Sequence, residues 1–436
     1  MRSIWSDTVT LPTFEPLNQD IKTDVLIIGG GITGILCAYM LEQAHVDYVL
    51  VEAKEICSGV TENTTAKITS QHGMIYHKML KRFGTEKTRL YLDANEKALA
   101  EYRKLCQNIA CDFETKDNFV YTLSNRKKLE QELEALHELQ FPAQHAANLP
   151  LPFATAGAVK FVDQAQFHPL KFLAKLAEGL RIFEHTKVQE IKAEKNILAT
   201  TPHGTITADK VIVATHFPFL NKHGMYFLKM YQHRSYVLAL EKAPFLDGMY
   251  VDEAQTGLSF RNYDNLLLVG GGSHRTGKHG GNWAELSALS QTWYPDATKS
   301  YRWATQDCMP LDDIPYIGQY SPNTPNLYVA TGFHKWGMTS AMVAATLLRD
   351  LILGKETPYA AVFNPSRTII RPQLFVNAFE TTINLLTFAK RRCPHLGCAL
   401  KWNPHEHTWD CPCHGSRFTE NGEVINNPAT DDLSDK

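Results

Sequence analysis

Two apolar runs near the start of the chain predict a pair of buried parallel strands. Residues 24–28 (DVLII) and 48–51 (YVLV) are rich in β-branched and leucine side chains, which is typical of strands covered on both faces. Between them, residues 35–41 carry apolar side chains at helical spacing. This order of strand, helix and strand predicts the opening of an α/β fold with a parallel sheet.

The same patterns continue along the chain. Residues 160–179 predict a strand followed by a helix that begins near Pro169, because proline suits the first turn of a helix. The segments 225–240 and 246–272 alternate as strands and predict a second sheet. Residues 327–330 predict a strand that leads through a glycine turn into a helix starting near residues 338–340.

A glycine motif directly follows the first predicted strand. Gly29, Gly31 and Gly34 form the pattern G-x-G-x-x-G, and the second strand ends in Glu52. In a dinucleotide site these glycines permit a tight turn, let a pyrophosphate approach the backbone and let the helix pack on the strand, while the acid binds a ribose diol. The context favours this interpretation over an α/β turn with three incidental glycines.

Glu52 alone does not distinguish FAD from NAD. The loop 57–70 (CSGVTENTTAKITS) is rich in hydroxyl groups that can bind a pyrophosphate or a flavin edge. The late helix offers a second positive helix terminus, which suits a cofactor longer than NAD. We therefore predict FAD, and the expected contacts outside the glycine motif in this part of the chain are Glu52, Ala53, Thr64, Thr65 and Ala66.

Charge and composition exclude several classes of protein. The 436 residues carry a formal net charge of −2, which argues against a dedicated nucleic-acid binder.

The N-terminal 25 residues contain no apolar core of signal-peptide length, so we expect a cytoplasmic protein. The stretch 374–389 contains Asn377, Glu380 and Asn384, and we interpret it as a soluble helix rather than a membrane span. No membrane or nucleic-acid partner is expected.

The C-terminal tail has a different chemistry from the rest of the chain. Cys393 and His395 form C-x-H, and Cys411 and His414 form C-x-x-H. Two short loops that each give one thiolate and one imidazole can bind a [2Fe-2S] cluster, with the thiolates on one iron and the imidazoles on the other. Zinc, or no metal, are the alternatives, although structural zinc prefers C-x2-4-C pairs.

The larger part of the chain resembles the D-amino-acid oxidase and glycine oxidase family of FAD-dependent oxidoreductases. The resemblance rests on the glycine motif, on TADKVIVATH at 207–216, on RWATQDCMPLDDIPYIG at 302–318 and on the late glycine-turn helix. It implies that Val188 lies beside the adenine and that Ala214 and Thr215 pass near FAD. It also implies that the segment 332–338 borders the flavin, including Gly332, Trp336, Gly337 and Met338. The sequence departs from the family at His216, where glycine is usual.

The tail resembles Rieske domains of the cytochrome bc type. That resemblance implies a disulfide between Cys398 and Cys413, which would join the two cluster loops. The combination of both parts resembles FAD-dependent oxidoreductases with a YhfW-type Rieske domain. The tail is only about 45 residues long and can form little core of its own. Its cluster loops therefore either dock on the flavin domain or hold the cluster loosely.

These observations predict a fold class and domain boundaries. We expect an α/β protein with a discontinuous Rossmann-like FAD-binding domain, an antiparallel-sheet substrate domain and a small all-β Rieske-like segment. The oxidoreductase part spans residues 1–370, a linker helix spans 371–390 and the Rieske segment spans 391–436. The FAD-binding parts are about 20–80, 180–220 and 300–355, and the substrate domain lies mainly in 85–180 and 225–300.

The two predicted cofactors suggest a converter of electron pairs into single electrons. The chain would oxidise an amine-type small molecule and pass electrons through the cluster to an unidentified acceptor. The alternative is a flavoprotein oxidase whose tail senses redox state or docks a partner. Catalytic candidates are Lys335, His274 and His72, and for both histidines an ordinary structural role is the competing interpretation. Asp307 would favour a cationic substrate, unless its carboxylate binds loop amides.

Overall fold

The computed structural model describes residues 2–193, 196–220 and 223–433. Within them the strands form three sheets, numbered here in chain order. The strands of the first sheet are β1 (Ile21–Ile28), β2 (Tyr48–Val51), β7 (Ile182–Phe183), β8 (Glu190–Ala193), β9 (Ile197–Thr201), β10 (Gly204–Val213), β16 (Tyr316–Gln319) and β17 (Leu327–Thr331).

The first sheet is the parallel layer that the N-terminal pattern predicts. Strand β1 pairs in parallel with both β2 and β10, and β10 pairs in parallel with β17. Both faces are covered, so all four residues of β2 are buried, which explains its unbroken apolar run. Chain segments far apart in sequence therefore end their strands at one edge of this sheet, where ligands of open α/β sheets bind.

The second sheet is larger and mainly antiparallel. Its strands are β3 (Lys67–Ile68), β4 (Glu114–Thr122), β5 (Gln144–Ala146), β6 (Gly157–Gln166), β11 (Met230–Glu241), β12 (Met249–Asp252), β13 (Ser259–Tyr263), β14 (Leu266–Arg275) and β15 (Thr298–Pro310). Strand β11 lies between β14 and β15. Both β3 and β15 thus belong to this sheet, although they lie in 20–80 and 300–355, which are predicted to be FAD-binding parts.

Helices cover the sheets and connect them. They are α1 (Ile4–Asp7), α2 (Ile32–Gln43), α3 (Tyr76–Cys106), α4 (Arg126–Glu138), α5 (Pro169–Ala177), α6 (Tyr226–Lys229), α7 (Trp283–Trp293), α8 (Gly337–Ile352), α9 (Ala360–Phe363) and α10 (Pro372–Leu386), with a 3-10 turn at Val60–Asn63. The largest core cluster includes residues of β1, α2 and α8. Among the described residues, none of the helices is long and apolar enough to cross a membrane.

Two predicted boundaries are wrong. Residues 226–229 form the short helix α6 and not the start of a strand, which begins at Met230. The helix predicted to reach Ala389 ends at Leu386. It ends there because Thr387 is extended, and because the carbonyls of Leu385 and Thr387 accept bonds from Arg392, which turns the chain toward the tail.

The tail forms a small antiparallel sheet of its own. Its strands are β18 (Lys401–Asn403), β19 (Thr408–Asp410), β20 (Arg417–Thr419) and β21 (Val424–Asn426), paired in that order. A small core of buried side chains, among them Leu400 and Phe418, packs beneath the cysteine loops. The all-β character predicted for this segment is therefore present.

Candidate functional site

A cavity of about 880 Å³ lies where the first sheet, the second sheet and the tail meet. Most of the predicted cofactor contacts line it: Gly29, Gly31, Glu52, Ala53, Thr64, Thr65, Val188, Ala214, Thr215, Gly332, Trp336, Gly337 and Met338. Gly34 and Ala66 are not part of this lining and lie behind it. The structure thus gathers residues from four distant segments around one space.

The three glycines differ in what surrounds them. Gly29 has a φ of +110°, and a Cβ there would come within 2.6 Å of the Ala214 carbonyl oxygen. A Cβ on Gly34 would lie 1.8 Å from the Gly29 oxygen, so this position permits the close contact of α2 with β1. A Cβ on Gly31 would meet only the Thr61 hydroxyl, at 3.2 Å. Gly31 is therefore the position that keeps the backbone open to the cavity.

Backbone amides hold the carboxylate of Glu52 at the cavity wall. Its Oε2 accepts a bond from the Gly30 amide at 2.6 Å, and its Oε1 accepts from the Lys54 amide at 2.9 Å. Across the cavity, α8 begins at Gly337 with no side-chain cap on its first turn. The N-termini of α2 and α8 and the carboxylate of Glu52 therefore border the same space. A dinucleotide requires this arrangement.

Lys335 lies in the turn before α8 and points into the cavity region. Its Nζ donates to the Ser273 hydroxyl at 2.5 Å and to the Gln255 carbonyl at 3.0 Å. Burial lowers the pKa of Lys335 to about 8, while the charge of Asp307 acts in the opposite direction. Lys335 is thus a cation near neutral pH that can lose its proton in mildly alkaline solution.

Asp307 also lines the cavity. Burial raises the pKa of its carboxyl to about 6, and the nearby charges of Lys335 and Arg234 counteract part of that effect. No loop amide donates to this carboxylate in the part of the chain that the structure describes. The interpretation of Asp307 as a binder of loop amides therefore loses its support, and the carboxylate remains available to the cavity.

The two histidine candidates have different positions. His72 lines the cavity, but its ring is buried between the Tyr91 hydroxyl at 2.6 Å and the Thr339 hydroxyl at 2.9 Å, and it stacks on Trp336. Burial lowers the pKa of His72 to about 3, so it is neutral and orients the start of α8. His274 does not line the cavity. It pairs with Arg234 across β14 and β11 and its ring stacks on Tyr236, and the side chains of both partners bind Glu406 of the tail.

His216 occupies the position where the related family usually has glycine. It adopts a left-handed backbone with a φ of +65°, a conformation that glycine adopts without strain. Its carbonyl accepts bonds from Thr331 Oγ1 at 2.5 Å and from Cys308 Sγ at 3.5 Å. The substitution therefore leaves the turn intact and adds an imidazole to the cavity lining.

The cysteine and histidine loops of the tail come together as predicted from their spacing. The rings of His395 and His414 lie 5.0 Å apart between centroids. The Cys411 thiol interacts with that of Cys393 and lowers its pKa to about 7. Cys398 and Cys413 form a disulfide between the two loops. The sulfur of Cys411 also lies close to this disulfide, whose sulfurs carry no thiolate for a metal.

The donor set fits a cluster with two thiolates and two imidazoles. Neither ring nitrogen of the buried His414 has a hydrogen-bond partner of good geometry among the described residues. Burial lowers the pKa of His395 to about 4 and that of His414 to about 3, so both rings are neutral, as metal ligation requires. The hydroxyl of Ser416 lies near Cys393 and also lowers its pKa.

The tail is docked firmly on the second sheet. Arg275 donates to the carbonyls of Pro412 and Cys413, both at 2.9 Å. Gln232 donates to the His414 carbonyl at 2.7 Å, and Gln306 donates to the Gly415 carbonyl at 2.8 Å. Of the two alternatives left open by the length of the tail, these contacts support the docked one.

A buried ion-pair network strengthens the docking. Arg234 of β11 forms a bidentate pair with Glu406 of the tail, and Arg417 contacts the same carboxylate at 2.9 Å. Burial alone would raise the pKa of Glu406, but the two arginines lower it to about 2. The carboxylate is therefore ionised at every ordinary pH and links the tail to the second sheet.

The sequence gives no indication that the tail also forms part of the cavity wall. Residues between 423 and 432 line the cavity, and the side-chain amide of Asn427 donates to the carbonyls of Thr215 and Phe217 at 2.5 and 2.6 Å. No motif marks this segment, and the contact joins residues more than 200 positions apart. Only the three-dimensional structure could reveal it.

Comparisons with known proteins cover both parts of the chain. The family model "FAD dependent oxidoreductase" matches residues 24–351, and the model "Rieske [2Fe-2S] domain" matches residues 376–435. The chain is 37% identical to the Rieske 2Fe-2S iron-sulfur protein YhfW of Bacillus subtilis (strain 168), over 98% of this chain and 95% of that protein.

Two further similarities concern the larger part of the chain. Gamma-glutamylputrescine oxidoreductase of Escherichia coli (strain K12) is 24% identical over 80% of this chain and 88% of its own length. The structure of glycine oxidase from Geobacillus kaustophilus superimposes with a TM-score of 0.67 at 20% identity, and covers 80% of this chain and 99% of that chain. This last likeness shows the fold.

These matches confirm the predicted fold class and both predicted cofactors. The two matched domains bind FAD and a [2Fe-2S] cluster respectively, so the zinc and no-metal alternatives for the tail are set aside. The roles of individual residues rest on the geometry described above.

Proposed function

The chain belongs to the FAD dependent oxidoreductase family and carries a Rieske [2Fe-2S] domain, and on this premise we propose that it oxidises an amine-type small molecule and passes the electrons to the Rieske centre. The observation that carries the proposal is the position of the second sheet. One face of β11, β14 and β15 borders the cavity, and the other face carries the cluster loops.

The residues that hold FAD in this proposal are those that line the cavity. Gly31 and the amides at the start of α2 receive the pyrophosphate, and Glu52 receives the adenine ribose. Trp336 and the start of α8 border the flavin. Bound FAD supplies a two-electron acceptor for a hydride, and the cluster in the tail carries one electron at a time.

The ligands that we assign to the cluster are Cys393, His395, Cys411 and His414. Cys398 and Cys413 fix the two loops to each other, and Ser416 places a hydroxyl beside Cys393. Hydrogen bonds of this kind tune the potential of a metal site. The domain boundaries at 1–370, 371–390 and 391–436 remain our proposal for the organisation of the chain.

Consecutive residues of β15 support a short path between the two centres. The side chain of Gln306 binds the Gly415 carbonyl next to His414. The side chain of the following residue, Asp307, lines the cavity. Because neighbouring side chains of a strand point to opposite faces, only the thickness of one sheet separates the cavity wall from the cluster loop at this point.

One carboxylate of the cavity wall supports an amine as the substrate, in a lining that also contains lysines, among them Lys335. Among the described residues that line the cavity there is no arginine, the side chain that would bind a substrate carboxylate in bidentate fashion. Asp307 offers a carboxylate to a cationic substrate instead. The 24% identical relative is named a gamma-glutamylputrescine oxidoreductase, which agrees with a substrate of the amine class.

We propose different roles for the three candidate catalytic residues. Lys335 places a positive charge in the cavity through its bond to Ser273, where it can stabilise an anionic group. His72 acts through Trp336 and is a positioning residue. We no longer propose His274 as a contact of the substrate, because it pairs directly with Arg234, whose side chain binds Glu406 on the tail-facing side of the sheet.

Anaerobic mixing of the holoprotein with a panel of amines and the corresponding amino acids tests the proposal. We expect at least one amine to bleach the flavin absorbance and to produce the electron paramagnetic resonance signal of a reduced Rieske cluster, while its carboxylated analogue reacts more slowly. If no amine bleaches the flavin while a hydroxy acid does, the substrate class is wrong.

A second candidate function has one observation in its favour. The segment 423–432 of the tail lines the cavity, so the tail can influence the flavin site without carrying electrons. In that case an amine would bleach the flavin, while a fully loaded cluster would stay oxidised indefinitely. The same experiment therefore separates an electron relay from a redox-sensing tail.

A further inference from the structure

Helix α10, which precedes the cluster loops, has its apolar face turned outward. Its buried residues are the polar Asn377 and Asn384. The side chains of Phe375, Phe379 and Leu386 are 67%, 65% and 81% exposed. Ordinary surface helices of globular proteins show the reverse arrangement, and an exposed apolar surface of this kind marks an interaction site.

Specific polar contacts fix this orientation. Arg275 donates to Asn377 Oδ1 at 2.9 Å, and Lys278 forms an ion pair with Glu380 at 2.6 Å. The Ala399 amide donates to the carbonyl of Asn384 at 2.9 Å. The second sheet and the cluster loop thus hold the polar face of the helix, and the apolar face has no covering element among the described residues.

The apolar surface continues beyond the helix toward the cluster. Phe388 is 94% exposed, and Leu396, which follows His395, is 37% exposed. Leu385, on the last turn of α10, is 42% exposed and lies beside Gly397. We name this surface the α10 patch, and its members are Phe375, Phe379, Ile383, Leu385, Leu386, Phe388 and Leu396.

Cations stand at both ends of the α10 patch. Lys390 and Arg392 follow the helix as exposed residues, while Arg371 before it and Arg391 after it are half-buried and lie over the rings of Phe83 and Trp409. The one acid of the helix, Glu380, is already paired with Lys278. A two-fold contact with a second copy of the chain would bring these cations against each other in either the parallel or the antiparallel arrangement, and like charges oppose it. An anionic surface would neutralise them.

We propose that the α10 patch docks on the surface of an anionic lipid bilayer, with the helix lying along it, which departs from the expectation that the chain has no membrane partner. Phenylalanine and leucine side chains on one face, with lysine and arginine at the ends, are the features of helices that insert to the level of the lipid headgroups. Docking would bring the loop of His395 to the bilayer surface. The proposal concerns binding only, so it stands or falls separately from the amine and relay chemistry.

Sedimentation of the holoprotein with lipid vesicles tests the proposal. One set of vesicles is phosphatidylcholine alone, and the other is phosphatidylcholine mixed with phosphatidylglycerol. We expect sedimentation with the mixed vesicles, weakened by added salt because the attraction of the cations is screened. The variant Phe379→Ser/Phe388→Ser should lose at least about tenfold in affinity, since two aromatic side chains no longer enter the bilayer.

Matched variants make the result specific. Phe245→Ser changes a phenylalanine that is 64% exposed elsewhere on the surface, and it should bind as the unchanged protein does. Lys390→Glu should weaken binding to the mixed vesicles severalfold. The flavin and cluster spectra of each variant verify that it is folded.

Three outcomes would overturn the proposal. The first is no sedimentation with either type of vesicle. The second is sedimentation that Phe379→Ser/Phe388→Ser leaves unchanged. The third is a dimer in solution, without vesicles, that this variant converts into a monomer, because the patch would then belong to a second copy of the chain.

Discussion

Gly31 and Gly34 lie one helical turn apart, yet their surroundings predict opposite effects of the same substitution. Gly34→Ala forces a Cβ against the Gly29 carbonyl at 1.8 Å, so we expect a loss of about 3 kcal/mol of stability. Gly31→Ala meets only the Thr61 hydroxyl at 3.2 Å. It should fold normally and lose FAD, because the added methyl group occupies the space of the pyrophosphate.

Thermal unfolding and the flavin content of the purified protein measure this pair. Gln43→Ala is the control, because Gln43 is exposed at the other end of α2 and does not line the cavity, and this variant should keep both stability and FAD. A Gly31→Ala protein that retains FAD at the unchanged level would contradict the assigned position of the pyrophosphate.

Asp307 gives the reaction a pH dependence. Its pKa of about 6 lies above the usual 3.8, so the carboxylate is ionised above pH 6 and neutral below it. For a cationic amine, kcat/KM should therefore fall as the pH decreases through about 6. Asp307→Asn should lower kcat/KM about tenfold at pH 8 and remove this acidic limb. An acidic limb that survives in Asp307→Asn would assign the titration to another group.

At the residue scale, motif spacing predicts the cysteines, histidines and glycines of both sites, because fixed backbone geometry connects neighbours in sequence. The face on which a side chain lies is harder to predict. His274 follows Ser273, which lines the cavity, and alternation along β14 turns His274 to the other side. The position of His274 shortly after the three glycines at 270–272 does not reveal which face its side chain occupies.

The elements of the tail and of the second sheet are joined by the Glu406 carboxylate, which lies between Arg234 and Arg417. Its pKa of about 2 lies below the ordinary 4.5, so its stabilising contribution is complete above pH 4.5 and is lost as the pH falls toward 2. Glu406→Gln leaves the buried Arg234 without its charge partner, while Arg417 keeps its ion pair with Asp410 at 3.0 Å. The substitution should cost about 3 kcal/mol at neutral pH.

Limited proteolysis of the tail and thermal unfolding at neutral pH and at pH 4 measure this effect. The exposed Glu420 supplies the control variant Glu420→Gln, which should behave as the unchanged protein. Equal protection of the tail in Glu406→Gln and in the control would show that the network does not hold the tail.

The helix α10 illustrates what periodicity can and cannot predict. Its existence and its start at Pro372 agree with the sequence pattern. Asn377, Glu380 and Asn384 argue against a membrane span, but they do not reveal that this polar stripe faces the body of the protein. The partners that decide it, among them Arg275 and Lys278, lie about 100 residues away in sequence.

At the scale of the whole molecule, the tail is both the site of the cluster and a wall of the cavity. Asn427 connects the two through its bonds to the carbonyls of Thr215 and Phe217. Asn427→Leu should weaken FAD retention about tenfold, because the Thr215 carbonyl loses the donor from the tail, the Phe217 carbonyl keeps only the Thr215 hydroxyl, and the wall shifts. The FAD released on dilution measures this, with Glu423→Gln, on the same wall, as the control.

The architecture of the parts is predictable from the sequence, but their assembly is not. The strand, helix and glycine patterns predict the first sheet, because those interactions are local or repeat along the chain. The contacts of Gln306 with Gly415 and of Asn427 with Thr215 have no such pattern. These contacts form when distant segments with complementary surfaces meet and their polar groups find hydrogen-bond partners.

In the proposed function, electrons pass within one molecule from the cavity to the cluster in the tail. Rapid-freeze electron paramagnetic resonance after anaerobic mixing with a reactive amine tests it most directly. We expect the reduced-cluster signal to follow flavin bleaching with a first-order rate that does not change when the protein is diluted tenfold. A cluster that stays oxidised, or one whose reduction slows in proportion to dilution, would contradict it.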